Sequence, residues 1–254
     1  MRLSLRSLRL LPLVAGTAWS ITLLALLIYW LAEGRPRYPF QSNPYVAYIS
    51  DIGAFRLKPV FIVGALLTST TLLGTIITVH LAFHQHRNRH RGLFTEHRWK
   101  YTKVSSIIAC IFAFASCPCQ ICLPIFDNHR KHQIHQVLLS LALLGTGVTA
   151  LCTTITFWGE MWPPRKEESP HEAKTETPLG TRRRRSIMAS NTLFMIEIVL
   201  GTCFIAFLWT GSYRVAGILE WVMSFLFTGY FWAFVGFWIP SDDPAAAEER
   251  PLRR

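Results

Sequence analysis

Hydrophobic residues along this chain come in six long runs, and the polar residues gather between them. The runs are Leu11–Leu31, Pro59–Phe83, Val104–Phe126, Gln136–Phe157, Leu193–Gly211 and Val215–Ile239, and none contains Lys or Arg. A helix needs about 20 apolar residues to cross the hydrocarbon core of a bilayer. Lipid offers no partners to backbone amides and carbonyls, so each run is predicted to be helical. The two-residue alternation of a membrane barrel strand is absent. The expected fold is therefore all-α: a polytopic membrane protein with six transmembrane helices in one bundle. The first run follows Arg2, Arg6 and Arg9, as a signal peptide would. Its apolar stretch is too long for that, and no small-residue cleavage site follows Trp30. It reads as an uncleaved first span.

Composition agrees with this class. Of 254 residues, 51% are hydrophobic and only 16% charged, against about a quarter charged in soluble domains. A soluble enzyme, a disordered chain and a coiled coil are all disfavoured. The net charge of +11 sorts by loop: 19 of the 26 Lys and Arg residues fall in the N-terminal tail, loop 84–103, loop 158–192 and the C-terminal tail. The other 7 fall in 32–58, 127–135 and 212–214. By the positive-inside rule both termini are expected in the cytoplasm. The positive charge is then a membrane signal, and no nucleic-acid partner is expected.

Segment 158–192 is too polar to bury a core and is expected to be a disordered cytoplasmic loop. It separates a four-span part (1–157) from a two-span part (193–239), and 240–254 forms a cytoplasmic tail. The cysteines Cys110, Cys117, Cys119, Cys122, Cys152 and Cys203 all lie in spans, which excludes a disulfide framework for an external domain. Cys117-Pro118-Cys119 with Cys122 has soft-metal ligand chemistry. Small residues around a proline are equally those of close helix packing, which is the preferred reading. No cofactor is expected.

Two basic patches flank the spans. Loop 84–103 carries Arg87, Arg89, Arg91, Arg98, Lys100 and Lys103 with His84, His86, His90 and His97, and the second patch is Arg182, Arg183, Arg184 and Arg185. Each Lys or Arg near a membrane surface gains about 1 kcal/mol from anionic lipid. Anionic phospholipids of the cytoplasmic leaflet are thus the expected ligands, although orientation alone also accounts for such charge. Ser186 follows the tetra-arginine run, where phosphorylation would weaken lipid contact.

Ionisable groups inside spans usually have an internal partner or a function. Glu197 and His80 share a depth and are expected to pair. On the outer side, Asp51, Asp127, His129, His132, His135 and Glu220 all belong near the mouth of the bundle. An early start to the fourth span puts His132 and His135 one turn apart on one face, with His129 extending the row. Three readings stand. His129, His132 and His135 bind Zn²⁺, whose water attacks a lipid ester or amide. Alternatively Asp51, Asp127, His132, His135 and Glu220 grip a headgroup, or they form a hydrogen-bonded network tying loops to helix ends. No serine nucleophile elbow appears. A transporter is disfavoured because the central thirds of the spans are largely apolar. Gly145, Gly147 and Thr149 read as packing residues.

Tyr48-Ile49-Ser50-Asp51-Ile52-Gly53-Ala54, followed by Lys58-Pro59-Val60-Phe61, resembles the signature of a six-span membrane family. That family includes the damage-regulated autophagy modulators, the fungal suppressors of phosphatidylinositol 4-kinase defects and the factor that remodels GPI-anchor lipids. Phe126-Asp127 through His132 and His135 resembles its approach to span four, and Glu220-Trp221 its Glu-Trp pair. The resemblance runs from Leu11 to Ile239, and the charged 158–192 loop has no counterpart. It implies a regulator of phosphoinositide and lipid organisation, more a scaffold than an enzyme. Such a protein would hold a peripheral lipid-kinase complex at the plasma membrane. The alternative is a GPI-anchor lipid remodelling factor or lipid hydrolase using the outer cluster, in a Golgi, ER, vacuolar or lysosomal membrane. The basic cytoplasmic loops favour the first branch, because phosphoinositides are anionic and cytoplasmic.

Overall fold

The computed structural model describes residues 8–39, 41, 43–89, 96–161 and 178–238, with the side chains of 86–89, 96–99 and 178–179 excepted. The elements are α1 (Leu10–Ala32), α2 (Ile49–Gly53), α3 (Lys58–Arg89), α4 (Glu96–Cys122), α5 (His132–Met161), α6 (Pro178–Trp209) and α7 (Tyr213–Ala233). A 3₁₀ turn, Phe234–Trp238, continues α7. Among the described residues there is no strand, and six helices are long and apolar enough to span a membrane. The all-α, six-span architecture is as the hydrophobic runs require.

The boundaries differ from expectation where side chains, rather than apolarity, set the helix end. The third span stops at Cys122 instead of Phe126. Pro124 disfavours helical geometry at Leu123, and the freed carbonyls of Leu123 and Phe126 are taken by His135. The fourth span starts at His132, as its early-start reading requires. The expectation of a disordered 158–192 loop is corrected over 158–161, the last turn of α5, and over 178–192, the first half of α6. Its arginines are good helix formers, Ile187 is buried, and Arg183 is paired with Glu160. Residues 162–177 and 239–254 lie outside the described residues.

Packing joins α4 to α5, α6 to α7, and α1 to both α3 and α7. One apolar cluster, built on Ile76, Phe157, Phe231, Phe234 and Phe237, fills the half of the bundle near the termini. A second, built on Leu23, Leu26, Ile52, Phe61 and Trp221, fills the half near α2. Arg9 Nη2 donates to the Trp238 carbonyl at 3.2 Å, so both ends of the bundle lie on one face. That face is called the terminal face below, and the opposite one the loop face.

The bundle interior is more polar than the runs indicated. Ser69 Oγ donates to Gln120 Oε1 at 3.0 Å, and Gln120 Nε2 donates to Thr146 Oγ1 at 2.8 Å. Thr149 Oγ1 reaches the Ala109 and Gly145 carbonyls. These contacts hold α3, α4 and α5 together, as interhelical hydrogen bonds do where lipid gives no hydrophobic drive. The cavity beside them is about 20 Å³, room for about one water and not a pathway. The expected Glu197–His80 pair does not form. His80 is bonded to Ser106 (2.9 Å) and Thr153 (3.1 Å), on the α4–α5 side. Glu197 is carried by α6, which packs mainly on α7, and its Oε1 has no hydrogen-bond partner among the described residues.

Of the two glycines read as packing residues, only Gly145 is one. A Cβ there would strike the Ser116 side chain, whereas Gly147 faces open space. Gly145→Val should therefore destabilise the detergent-solubilised bundle by about 1–3 kcal/mol through overpacking. Gly147→Val should leave the thermal unfolding midpoint nearly unchanged, and equal midpoints for the two variants would contradict this packing.

Candidate functional site

The loop face is built around the short helix α2. Its approach, Gln41 and residues 43–47, is anchored through side chains. Gln41 Nε2 donates to the Asn43 carbonyl at 2.5 Å. Asn43 Oδ1 accepts from the Tyr45 and Val46 amides, and Asn43 Nδ2 donates to the Tyr213 carbonyl at 2.6 Å. Trp221 Nε1 donates to the Ala47 carbonyl at 3.0 Å. The loop is thus tied to the start of α7.

Two carboxylates then take the first amides of α2. Asp51 Oδ2 accepts from the Tyr48 N–H at 3.1 Å, and Glu220 Oε2 from the Ile49 N–H at 3.2 Å. These are orphan donors of a helix start, and carboxylates suit them. Asp51 Oδ1 also accepts from Asn128 Nδ2 at 3.2 Å. With Asn128 so placed, its Oδ1 accepts from His132 Nδ1 at 2.7 Å. Asp51, Asn128 and His132 therefore form one chain linking α2 to the start of α5. His135 Nδ1 lies 3.1 and 2.9 Å from the Leu123 and Phe126 carbonyls, so that nitrogen carries the proton. It caps the end of α4.

Asp127 has a different partner. Lys58 Nζ meets Asp127 Oδ2 at 2.5 Å and the Ile125 carbonyl at 3.0 Å, while Asp127 Oδ1 accepts from the Arg130 N–H at 2.7 Å. Burial works against the Asp127 charge, but the Lys58 and Arg130 hydrogen bonds prevail and hold its carboxyl below the usual value. Burial raises Asp51, and the Asn128 and Tyr48 hydrogen bonds only partly offset it.

Asp51, Asp127, His132, His135 and Glu220 thus share the loop face as sequence reasoning grouped them, but not around a common empty point. Every one of them makes a hydrogen bond to a backbone group or to Asn128 or Lys58. His129 packs edge-on against Phe55, with ring centroids 5.4 Å apart. Among the described residues no group of three or more His, Cys, Asp or Glu side chains is disposed to hold a metal ion. This covers both the His129, His132 and His135 row and the Cys117, Cys119 and Cys122 group. The arrangement is suited to fastening loops to helix ends. Lys58, Asn128 and Asn43 were missed as participants. Lys58 opens the Lys58-Pro59-Val60-Phe61 stretch, and Asn128 lies between Asp127 and His129, but only the fold gives them partners.

On the terminal face the tetra-arginine run divides. Arg183 Nε and Nη2 grip Glu160 at 2.8 and 3.0 Å, and Arg184 Nε donates to the Met161 carbonyl at 3.1 Å. Arg182 and Arg185 are exposed. Ser186 Oγ donates to the Ala233 carbonyl at 2.5 Å and packs against Gly236, so its hydroxyl is not presented for phosphorylation. Lys100 is exposed near the start of α4. The side chains of Arg87, Arg89 and Arg98, and all of Arg91, lie outside the described residues.

Residues 7–236 match the Frag1/DRAM/Sfk1/Cwh43P N-terminal domain family. The chain belongs to this family. Every loop-face residue described above lies within the matched range. The chain is also similar to Protein SFK1 of Saccharomyces cerevisiae, with 44% identity over 75 residues. That stretch covers 29% of this chain and 20% of the yeast protein, so the chain matches only a fifth of its relative's length. No solved structure matches. Family and six apolar helices together make this Frag1/DRAM/Sfk1-family chain an integral membrane protein.

Lys58→Met would leave the buried Asp127 carboxylate without its cation. It should lower stability in detergent by about 1–3 kcal/mol, and adding Asp127→Asn should recover part of that loss. The depressed Asp127 carboxyl stabilises the fold above the unfolded carboxylate value and loses that effect as pH falls through its own lower value. Acidification below about pH 4 should therefore cost the wild type more than the double variant. Parallel curves would remove the ion pair from the account.

Proposed function

We propose that this protein is a non-enzymatic membrane regulator of phosphoinositide and lipid organisation, with both termini in the cytosol and the plasma membrane as its site. Exposed arginines of the terminal face engage phosphoinositide or phosphatidylserine, and the charged surface so formed recruits a peripheral lipid-kinase complex. One observation carries this reading. Arg182 and Arg185 stand exposed three residues apart on one helical face, while Arg183 and Arg184 are anchored to Glu160 and Met161. The anchored pair holds the exposed pair at a fixed height beside the bundle. Family membership supports a membrane role of this type. The loop-face residues, occupied with helix ends, favour a structural part over the hydrolase or GPI-remodelling alternative.

Two arginines at about 1 kcal/mol each amount to about thirtyfold in affinity. Arg182→Ala with Arg185→Ala, in nanodiscs containing fluorescent phosphatidylinositol 4-phosphate, should weaken lipid retention by about that factor without changing the unfolding midpoint. Arg183→Ala with Arg184→Ala should instead lower the midpoint. Unchanged retention in the first variant would remove this surface from the mechanism.

A further inference from the structure

A second feature lies on the opposite face. Between α1 and α7, at the loop-face end, is a cleft of about 800 Å³, within the size range of small-molecule sites. Its floor and walls are apolar and include Leu27, Phe225 and Leu226, and Trp30 and Trp221 stand beside them. At its mouth are Arg35 and Arg214. No Asp or Glu is among the described lining residues, and neither arginine makes an ion pair among the described residues.

Both arginines are placed by the same device. α1 ends in a Schellman turn, with Gly34 at φ 77°. The Gly34 N–H bonds to the Leu31 carbonyl (3.1 Å) and the Arg35 N–H to the Trp30 carbonyl (2.9 Å). Arg35 itself is held at φ 60°, an uncommon conformation for a side-chain-bearing residue. Trp30 Nε1 donates to the Pro36 carbonyl at 3.2 Å and locks the turn from the other side. α6 ends in a matching turn, with Gly211 at φ 73° and the Ser212 N–H on the Phe207 carbonyl at 2.9 Å. Arg214 therefore sits in the first turn of α7. The positive end of that helix adds to its charge.

These charges run against the orientation bias, since the loop face holds few basic residues. Topology does not explain them. We propose that the α1–α7 cleft binds one glycerophospholipid of the loop-face leaflet. Its acyl chains lie along Leu27, Phe225 and Leu226, and its phosphodiester sits between Arg35 and Arg214. Two guanidinium groups without an acidic neighbour among the described lining residues select a headgroup of net negative charge, and planar forks match phosphate oxygens. Trp30, in the last turn of α1, sits where aromatic rings favour the membrane interface.

The test uses the purified chain in nanodiscs of phosphatidylcholine mixed with phosphatidylserine, and native mass spectrometry of the lipid that stays bound. Wild type should retain one lipid, with phosphatidylserine favoured by about tenfold. Arg35→Gln with Arg214→Gln should abolish that preference, while Arg37→Gln with Arg56→Gln should keep it. Val222→Trp, which fills the cleft wall, should lose the retained lipid of either kind while the arginines remain. Millimolar inorganic phosphate should not displace the lipid. Equal retention of the two lipids by wild type, an unchanged preference in the Arg35/Arg214 variant at an unchanged unfolding midpoint, or displacement by free phosphate would each overturn the proposal.

Discussion

A backbone amide or carbonyl in hydrocarbon has no water to bond, and almost every feature of this fold answers that constraint. Within the spans the answer is the helix itself. Some side-chain hydroxyls of the spans bond back along their own helix, as Thr71, Thr75 and Thr78 do to carbonyls four residues earlier, and others, such as Ser69 and Ser105, bond across to the next helix. The severe cases are the helix ends, each with several groups that the helix leaves unpaired. α1 and α6 close theirs with glycine turns. α4, cut short before Pro124, has the carbonyls around its end taken by His135 of the next helix. α2 has its first amides taken by Asp51 and Glu220.

The loop face is thus one continuous set of caps. Asp51 serves α2 and reaches Asn128, Asn128 reaches His132, and Lys58 joins α3 to the α4–α5 turn through Asp127. Ionisable residues collect there because charged or strongly polar groups make the better partners for orphan backbone groups. The terminal face uses charge in two ways. Arg183 and Arg184 are structural, bound to Glu160 and the Met161 carbonyl, whereas Arg182 and Arg185 face outward. A run of four identical residues is divided by helical periodicity into an inner pair and an outer pair.

The candidate site was legible in part. Asp51, Asp127, His132, His135 and Glu220 were traceable to one face because the number of spans between them sets which side each occupies. Their partners were not traceable. Asp127 bonds to Lys58, 69 positions away, and Glu220 to an amide 171 positions away. His80 faced two depth-matched alternatives, a carboxylate on α6 and hydroxyls on α4 and α5, and the packing of α6 against α7 decided for the hydroxyls. The helical state of 178–192 was hidden because its average polarity is that of a loop, while the contacts of Ile187, Arg183 and Ser186 that hold it are long-range.

What the amino-acid order determined unaided was the number of apolar helices long enough to cross, their approximate limits and, from that even number, that both ends of the bundle share one face. A bilayer has one thickness and rejects unpaired backbone, so length and apolarity suffice for those. Tertiary structure alone decided which polar group meets which, where each helix stops, and that an apolar cleft between the first and last spans carries two arginines with no ion-pair partner among the described residues. Those outcomes depend on distances between residues remote in the chain, and no local pattern encodes them.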